Sequence, residues 1–292
     1  MSTFPAHTAA DPTVADCLDC AQSAGLQRLD AQMIVLHALG RPLSDRAWLV
    51  AHDTDLVSAS VMQQVVAWTT RRCHGEPLAY LTGHKEFFGL DLLVDPRVLV
   101  PRPDTETLVQ WALDILAETA SDARVLDLGT GSGAIALALK ASRPSAQVDA
   151  VDASDDALAV AQSNAQRLQL AVSFYSGDWF APLPTRGVGY DLVVSNPPYI
   201  ADGDHHLRAL SHEPLQALTA GADGLADIRH IVGQAPHHLI EGGWLLMEHG
   251  FDQAAPVAQL LQEAGFSRVA SRRDLAGMTR CTGGQWPFSP KK

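Results

Sequence analysis

The chain has 292 residues, 47% hydrophobic and 18% charged, enough for one large buried domain with a smaller one beside it. Its formal net charge of −12 excludes broad phosphate-backbone binding, which needs clustered Lys and Arg, and points to a protein or small-molecule substrate with no direct nucleic-acid contact. Four cysteines give no secreted disulfide framework, residues 1–13 contain no apolar leader core, and no run approaches membrane-spanning length, so a cytoplasmic protein with no membrane partner is expected.

Residues 1–75 read as helices only. Asp30 to Leu39 carries an apolar stripe of Met33, Ile34, Leu36 and Leu39, ended by Gly40 and Pro42. Ser44 is placed to cap the next helix, with Trp48, Leu49 and Val50 facing inward, and Ser60 to Arg72 repeats the pattern with Val61, Val65, Val66 and Trp68. The segment is a small helical bundle without a catalytic constellation, a docking or packing module. Cys17 and Cys20 stand at i, i+3 on a helix, with no βαβ unit beside them and no further ligands, so they read as half-buried thiols and not as a redox or metal pair.

Residues 76–103 change character. Gly75, Gly83 and Gly89 punctuate a β-hairpin made from Phe87-Phe88 and Leu90-Asp91-Leu92, and Val98-Leu99-Val100 reads as a further strand stopped by Pro101 and Pro103. Asp104 or Thr105 can cap the helix that continues through Leu108, Trp111 and Leu116. This stretch is taken as a linker between the helical domain, 1–75, and a second domain, 104–292. Arg102 beside the turn reads as one half of a surface salt bridge.

From Arg124 strands and helices alternate, which implies a doubly wound α/β parallel sheet. The strand Val125-Leu126-Asp127-Leu128 leads into Gly129-Thr130-Gly131-Ser132-Gly133, and a helix opens at Ala134. The glycines allow close backbone approach and the helix start favours polar or anionic groups. The next strand ends in Asp152, about 20 residues beyond Gly133, where a carboxylate can accept from two ribose hydroxyls. Together they indicate an adenosine-containing cofactor. The spacing G-x-G-x-G lacks the third glycine of the dinucleotide fingerprint, which weakens a nicotinamide reading. After the third strand, Asp178 is placed to accept from an adenine amine and Trp179 to pack on its ring.

The fourth strand, Leu192-Val193-Val194, delivers Asn196-Pro197-Pro198-Tyr199 beside the glycine loop. The Asn196 side-chain oxygen and the Pro197 carbonyl can each accept one N–H of a planar NH2 group, Pro198 stiffens the turn and Tyr199 stacks on the plane. Such a clamp suits an amide nitrogen, whose lone pair is delocalised and must be held out of plane to attack an electrophile. Asn196 borders the cofactor as well. Residues 201–220 form a polar connection able to cover the site; His205, His206 and His212 within it match no standard metal spacing, and no metal site is expected. Gly243 to Met247 is a fifth strand, and residues 266–285 close the sheet as an antiparallel pair with a bend at Asp274-Leu275-Ala276-Gly277.

With these residues in view the chain resembles the bacterial N5-glutamine methyltransferases that modify peptide chain release factors. The resemblance rests on Gly83-His84-Lys85-Glu86-Phe87, Val100-Pro101-Arg102-Pro103-Asp104-Thr105-Glu106, the Gly129–Gly133 loop, Gly177-Asp178-Trp179 and Ser195-Asn196-Pro197-Pro198-Tyr199-Ile200, with Gly224-Leu225 and the bend at 274–277 beside them. It covers nearly the whole chain; the Pro-Arg-Pro-Asp-Thr-Glu block is the specific part, because Asn-Pro-Pro-Tyr also occurs in nucleic-acid amine methyltransferases. His212 stands where the family has tyrosine before Glu-Pro. The resemblance implies a Rossmann-like class I methyltransferase domain with a mostly parallel seven-stranded sheet, S-adenosylmethionine as cofactor with S-adenosylhomocysteine as product, methylation of the glutamine in a Gly-Gly-Gln motif, a release factor gripped by the helical domain, and a monomer. An amine methyltransferase acting on a nucleic-acid base or a ribosomal-protein glutamine, a nicotinamide-dependent oxidoreductase and a non-catalytic binding module are the alternatives. The chain also carries Gly283-Gly284-Gln285, expected to be structural because it falls on the final strand.

Overall fold

The computed structural model describes residues 11–183 and 189–288; the leader reading falls mostly on residues 1–10, outside them. The chain forms two compact units, Met1–Gly83 and His84–Lys292. No helix among the described residues is long and apolar enough to cross a membrane.

The first unit comprises α1 (Val14–Ser23), α2 (Arg28–Ala38), α3 (Arg46–Ala51), α4 (Ala59–Cys73) and α5 (Leu78–Thr82). Thr13 starts α1 with a capping box, its hydroxyl accepting from Asp16 N while the Asp16 carboxylate takes Thr13 N. Val14, Cys17, Ile34, Leu36, Leu49 and Val65 fill the core. Three details differ from the sequence reading. Asp45, not Ser44, occupies the N-cap of α3, and Val50 and Val66 are 68% and 43% exposed. Leu49 and Val65 already hold the inward positions, and one step along a helix carries the next side chain off that face. Burial pushes the Cys17 thiol up to about 11, which leaves it inert.

The second unit opens with an antiparallel hairpin, β1 (His84–Phe87) and β2 (Leu90–Leu93), whose Phe87 and Leu92 are buried in the main core. Val98-Leu99-Val100 is not a strand. Its valines are buried, yet the Val100 N–H is taken by a side chain, Glu213 Oε2 at 3.1 Å, and no strand among the described residues pairs with it. The seven-stranded sheet contains β3 (Arg124–Leu128), β4 (Gln147–Asp152), β5 (Ser173–Ser176), β6 (Tyr190–Ser195), β7 (Leu239–Glu248), β8 (Ser267–Arg273) and β9 (Thr279–Gln285) in the order β5-β4-β3-β6-β7-β9-β8. The first five in that order are parallel, and β9 runs antiparallel to both β7 and β8.

Residue alternation along each strand divides the core into two layers. Val125, Leu192, Val194 and Leu246 pack with α6 (Glu106–Ala117) and α7 (Ala134–Ser142), while Leu126, Leu128, Val193, Leu245 and Met247 pack with α9 (Ala226–Gln234) and α10 (Ala254–Glu263). The remaining helix, α8 (Asp155–Leu168), carries Asn164, fully buried, whose Oδ1 accepts from Leu93 N at 2.7 Å and whose Nδ2 donates to the carbonyls of Leu93 and Ser132. That one side chain ties the hairpin to the glycine loop.

Strand order reverses between β3 and β6, the switch point at which sheets of this kind leave a crevice outside their carboxyl ends. At the far side, Gly283 and Gly284 lie in β9 between β7 and β8. A Cβ at Gly283 would come within 2.6 Å of the Leu245 carbonyl oxygen, and one at Gly284 within 2.9 Å of Phe266 Cβ. Gln285 donates to the Gly242 carbonyl at 2.8 Å.

Candidate active site

Register places Leu128 of β3 beside Val151 of β4 and Ser195 of β6, so the glycine loop, Asp152 and Asn196 emerge at one edge. Gly129, Gly131 and Gly133 have φ of 70°, 56° and 84°, left-handed values that keep the loop flat where side chains would otherwise project. A Cβ on Gly133 would press within 3.0 Å of Leu137 and 3.3 Å of Ala161, so this glycine also lets α7 sit against α8. The loop is held from below by Asp127, fully buried, whose Oδ2 accepts from Thr130 Oγ1 at 2.7 Å and Ala136 N at 3.2 Å. Burial pushes this carboxyl up to about 7 against those bonds. Ser132 is buried behind the loop.

Asp152 faces the same crevice. Its Oδ2 accepts from Gly131 N at 2.8 Å and its Oδ1 from Ser154 N at 2.9 Å, and burial raises its pKa although both bonds oppose the shift. A cavity of about 250 Å³ opens above, walled by Gly129, Gly131, Asp152, Asp178, Trp179 and Asn196. Trp179, at φ 47°, lies so close to the loop that a Cβ on Gly129 would sit 3.4 Å from its ring.

A second cavity, also about 250 Å³, lies on the other side of Asn196 and is lined by Arg102, Pro197, Tyr199 and Leu210. Pro198 faces the first cavity and Pro197 and Tyr199 the second; Asn196 borders both. Asn196 Nδ2 donates to Thr105 Oγ1 at 3.3 Å, which turns its carbonyl oxygen the other way. No backbone N–H among the described residues takes the Pro197 carbonyl. Two acceptors and an aromatic face therefore stand together, with the Tyr199 hydroxyl donating to Glu248 Oε1 at 3.4 Å.

The connection over the site is anchored at both ends. Ile200 N donates to Leu218 O at 2.9 Å and Ala220 N to Ile200 O at 3.0 Å, while Gly224 passes so near Tyr199 that a Cβ there would fall 2.3 Å from its carbonyl oxygen. Pro214, Gln216 and Ala217 wall the first cavity, and Leu210, Ala217 and Leu218 the second. Glu213, its side chain 3% exposed, ion-pairs with Arg102. Arg102 is thus one side of a part-buried clasp between two walls of the second cavity and not a surface salt bridge; the partner is a residue 111 positions away, invisible to local reading. Asp204, His205 and His206 bring one donor each within 4.8 Å of one another on the exposed part of this connection, where Asp204 already accepts from His206 N as a cap.

Glu213, Glu248 and Asp127 went unassigned in the sequence reading. Thr105, with Asp104 a candidate to cap α6, makes no side-chain cap bond and turns to Asn196 instead. For Asp127 a signal existed: a carboxylate inside an apolar strand is costly to bury without partners.

The chain matches the family model "Methyltransferase small domain" over residues 109–270 and "PrmC N-terminal domain" over residues 16–83. It is 52% identical over 265 residues to a release factor glutamine methyltransferase of Bordetella pertussis, covering 89% of this chain and 95% of the relative. A protein of the same name from Coxiella burnetii is 45% identical over 254 residues, covering 87% and 90%. The crystal structure of a methyltransferase from Pyrococcus furiosus shares the fold, with a TM-score of 0.51 at 18% identity over 76% of this chain and 99% of that one.

Proposed function

Because this chain belongs to the release factor glutamine methyltransferase family, we propose that it transfers a methyl group from S-adenosylmethionine to the N5 nitrogen of the glutamine in the Gly-Gly-Gln motif of peptide chain release factors. The observation that carries the reading is the pair of cavities meeting at Asn196, one bounded by the glycine loop and Asp152, the other by Pro197 and Tyr199.

The first cavity fits the cofactor. A flat glycine backbone, a half-buried carboxylate with its oxygens at the rim and the Trp179 ring suit a ribose, an adenine and an amino-acid tail. Asp152 would accept from the ribose hydroxyls, Gly129, Thr130, Gly131, Ser132 and Gly133 would cradle the tail, and Asp178 with Trp179 would hold the base. When bound, the cofactor would supply a strongly electrophilic methyl group on a positively charged sulfur, the sulfur-bearing remainder leaving as S-adenosylhomocysteine.

In the second cavity Asn196 Oδ1 and the Pro197 carbonyl each accept one N–H of the substrate amide, and Tyr199 packs on its plane, so that the nitrogen lone pair points toward the first cavity. Pro198 keeps that turn rigid. Asn196 and Pro197 would so aim the amide nitrogen at the methyl group that the cofactor would supply, with the extra proton of the methylated nitrogen lost to solvent, and position and orientation would give most of the acceleration. The first unit would grip the release factor, and the protein would act as a monomer in the cytoplasm.

Incubation of the protein with S-adenosylmethionine and a release factor tests this. The expected result is the mass of one added CH2 on the Gly-Gly-Gln peptide; an unmodified peptide after many equivalents of cofactor would overturn it. In the same digest, the enzyme's own peptide containing Gln285 is expected to stay unmodified, because its amide bonds to Gly242 and its backbone is paired on both sides. A CH2 gain on Gln285 that is lost in Asn196→Ala would show that β9 opens to reach the clamp.

A further inference from the structure

We propose that Arg102 positions the substrate main chain, its guanidinium donating to a backbone carbonyl of the two glycines before the target glutamine; this deepens the function proposed above and rests on it. Arg102 lines the second cavity together with Asn196, Pro197 and Tyr199. Its side chain is 37% exposed and that of its partner Glu213 only 3%, so the pair is closed on the protein side and open on the other.

The donor count leaves a remainder. An arginine carries five N–H donors and no acceptor. Glu213 Oε1 takes one of them at a terminal nitrogen, and Arg102 forms no other hydrogen bond or ion pair among the described residues. Glu213 is itself held, its Oε2 accepting from Val100 N at 3.1 Å. With both oxygens engaged, the carboxylate ties the guanidinium to the backbone two residues before it. The rest of the fork is left to the cavity.

The charge of the pair selects the ligand. A carboxylate in contact with the guanidinium cancels most of its charge, so the spare donors suit a neutral carbonyl better than an anion. Leu99, Ile200, Leu210, Ala217 and Leu218 complete the cavity wall and bring no side-chain donor. The glycines of a Gly-Gly-Gln motif have no side chains, so only their main-chain atoms can be grasped. A main-chain carbonyl taken into such a cavity needs a donor, and Arg102 is the wall residue with the most to spare. Held by its main chain at Arg102 and by its amide at Asn196, the glutamine would be fixed at both ends.

The test is R102K and R102A on a release factor, with steady-state kinetics, direct titration of the release factor and thermal unfolding side by side. Lysine keeps the ion pair with Glu213 but has a single nitrogen, which cannot hold a carboxylate and a carbonyl as the fork does. Both variants should raise KM and Kd for the release factor about 10-fold or more, with kcat and cofactor Kd moving by less than about threefold. A clasp that only holds the connection in place predicts R102K close to wild type. Two further release factors identify the contact, each carrying one motif glycine's carbonyl in an ester link, a weaker acceptor than the amide. At one of the two positions wild-type affinity should fall several-fold more than that of R102K. R102K equal to wild type in KM and Kd, or equal ester losses in wild type and R102K at both positions, overturns the contact alone; a wild type inactive on release factors overturns the functional reading and the contact with it.

Discussion

Asn196→Ala is expected to lower kcat for methyl transfer by about 10²-fold or more, with cofactor affinity changed only a few-fold. The residue borders both cavities, but its roles in them differ. Toward the cofactor it is one wall among many. Toward the substrate, in the function proposed, it would be one of two acceptors that hold the amide nitrogen out of conjugation, and with one removed the amide would be free to stay planar and misaimed. Asn196→Asp is informative beside it. Aspartate keeps the acceptor but has no N–H for Thr105 Oγ1, and it adds a charge at a part-buried position, so it should also fail. Single-turnover measurements with saturating cofactor isolate the step; near-normal turnover in a folded Asn196→Ala would remove this side chain from the mechanism.

What the sequence made legible was local. Gly129 to Gly133, Asp152 and Asn196 to Tyr199 each sit within a few residues of a strand end, and the βα alternation brings strand ends to one edge, so their convergence followed from chain order. The partners that hold these groups were not legible, because each bond spans the topology. Thr105 meets Asn196 across 91 positions and Arg102 meets Glu213 across 111. Thr105 illustrates why: beside a proline at a helix start, its local chemistry says N-cap, and only the packing of α6 against the sheet sends the hydroxyl elsewhere. Val98 to Val100 failed for the opposite reason, since apolar β-branched residues are buried there without a strand to pair with.

Asp152→Ala is expected to weaken S-adenosylmethionine binding by about 10²-fold or more, from two lost charge-assisted bonds to the ribose worth about 1.5–3 kcal/mol each. Part of the loss would come through the loop itself. Asp152 already takes Gly131 N at 2.8 Å and Ser154 N at 2.9 Å, so its removal leaves two amides without these bonds and frees the glycine backbone on which the cofactor would rest. Asp152→Asn separates the contributions: it keeps one acceptor and its shape, and should lose less. The carboxylate also carries a pH signature. Burial raises its pKa, opposed by the N–H groups of Ser154, Gly131 and Ala153. As pH falls through that raised value the group gains a proton and loses an acceptor, so wild-type affinity should weaken toward acid while Asp152→Ala stays flat. Titration calorimetry on folded protein at several pH values reads both effects, and unchanged affinity in Asp152→Ala would take the ribose away from this residue.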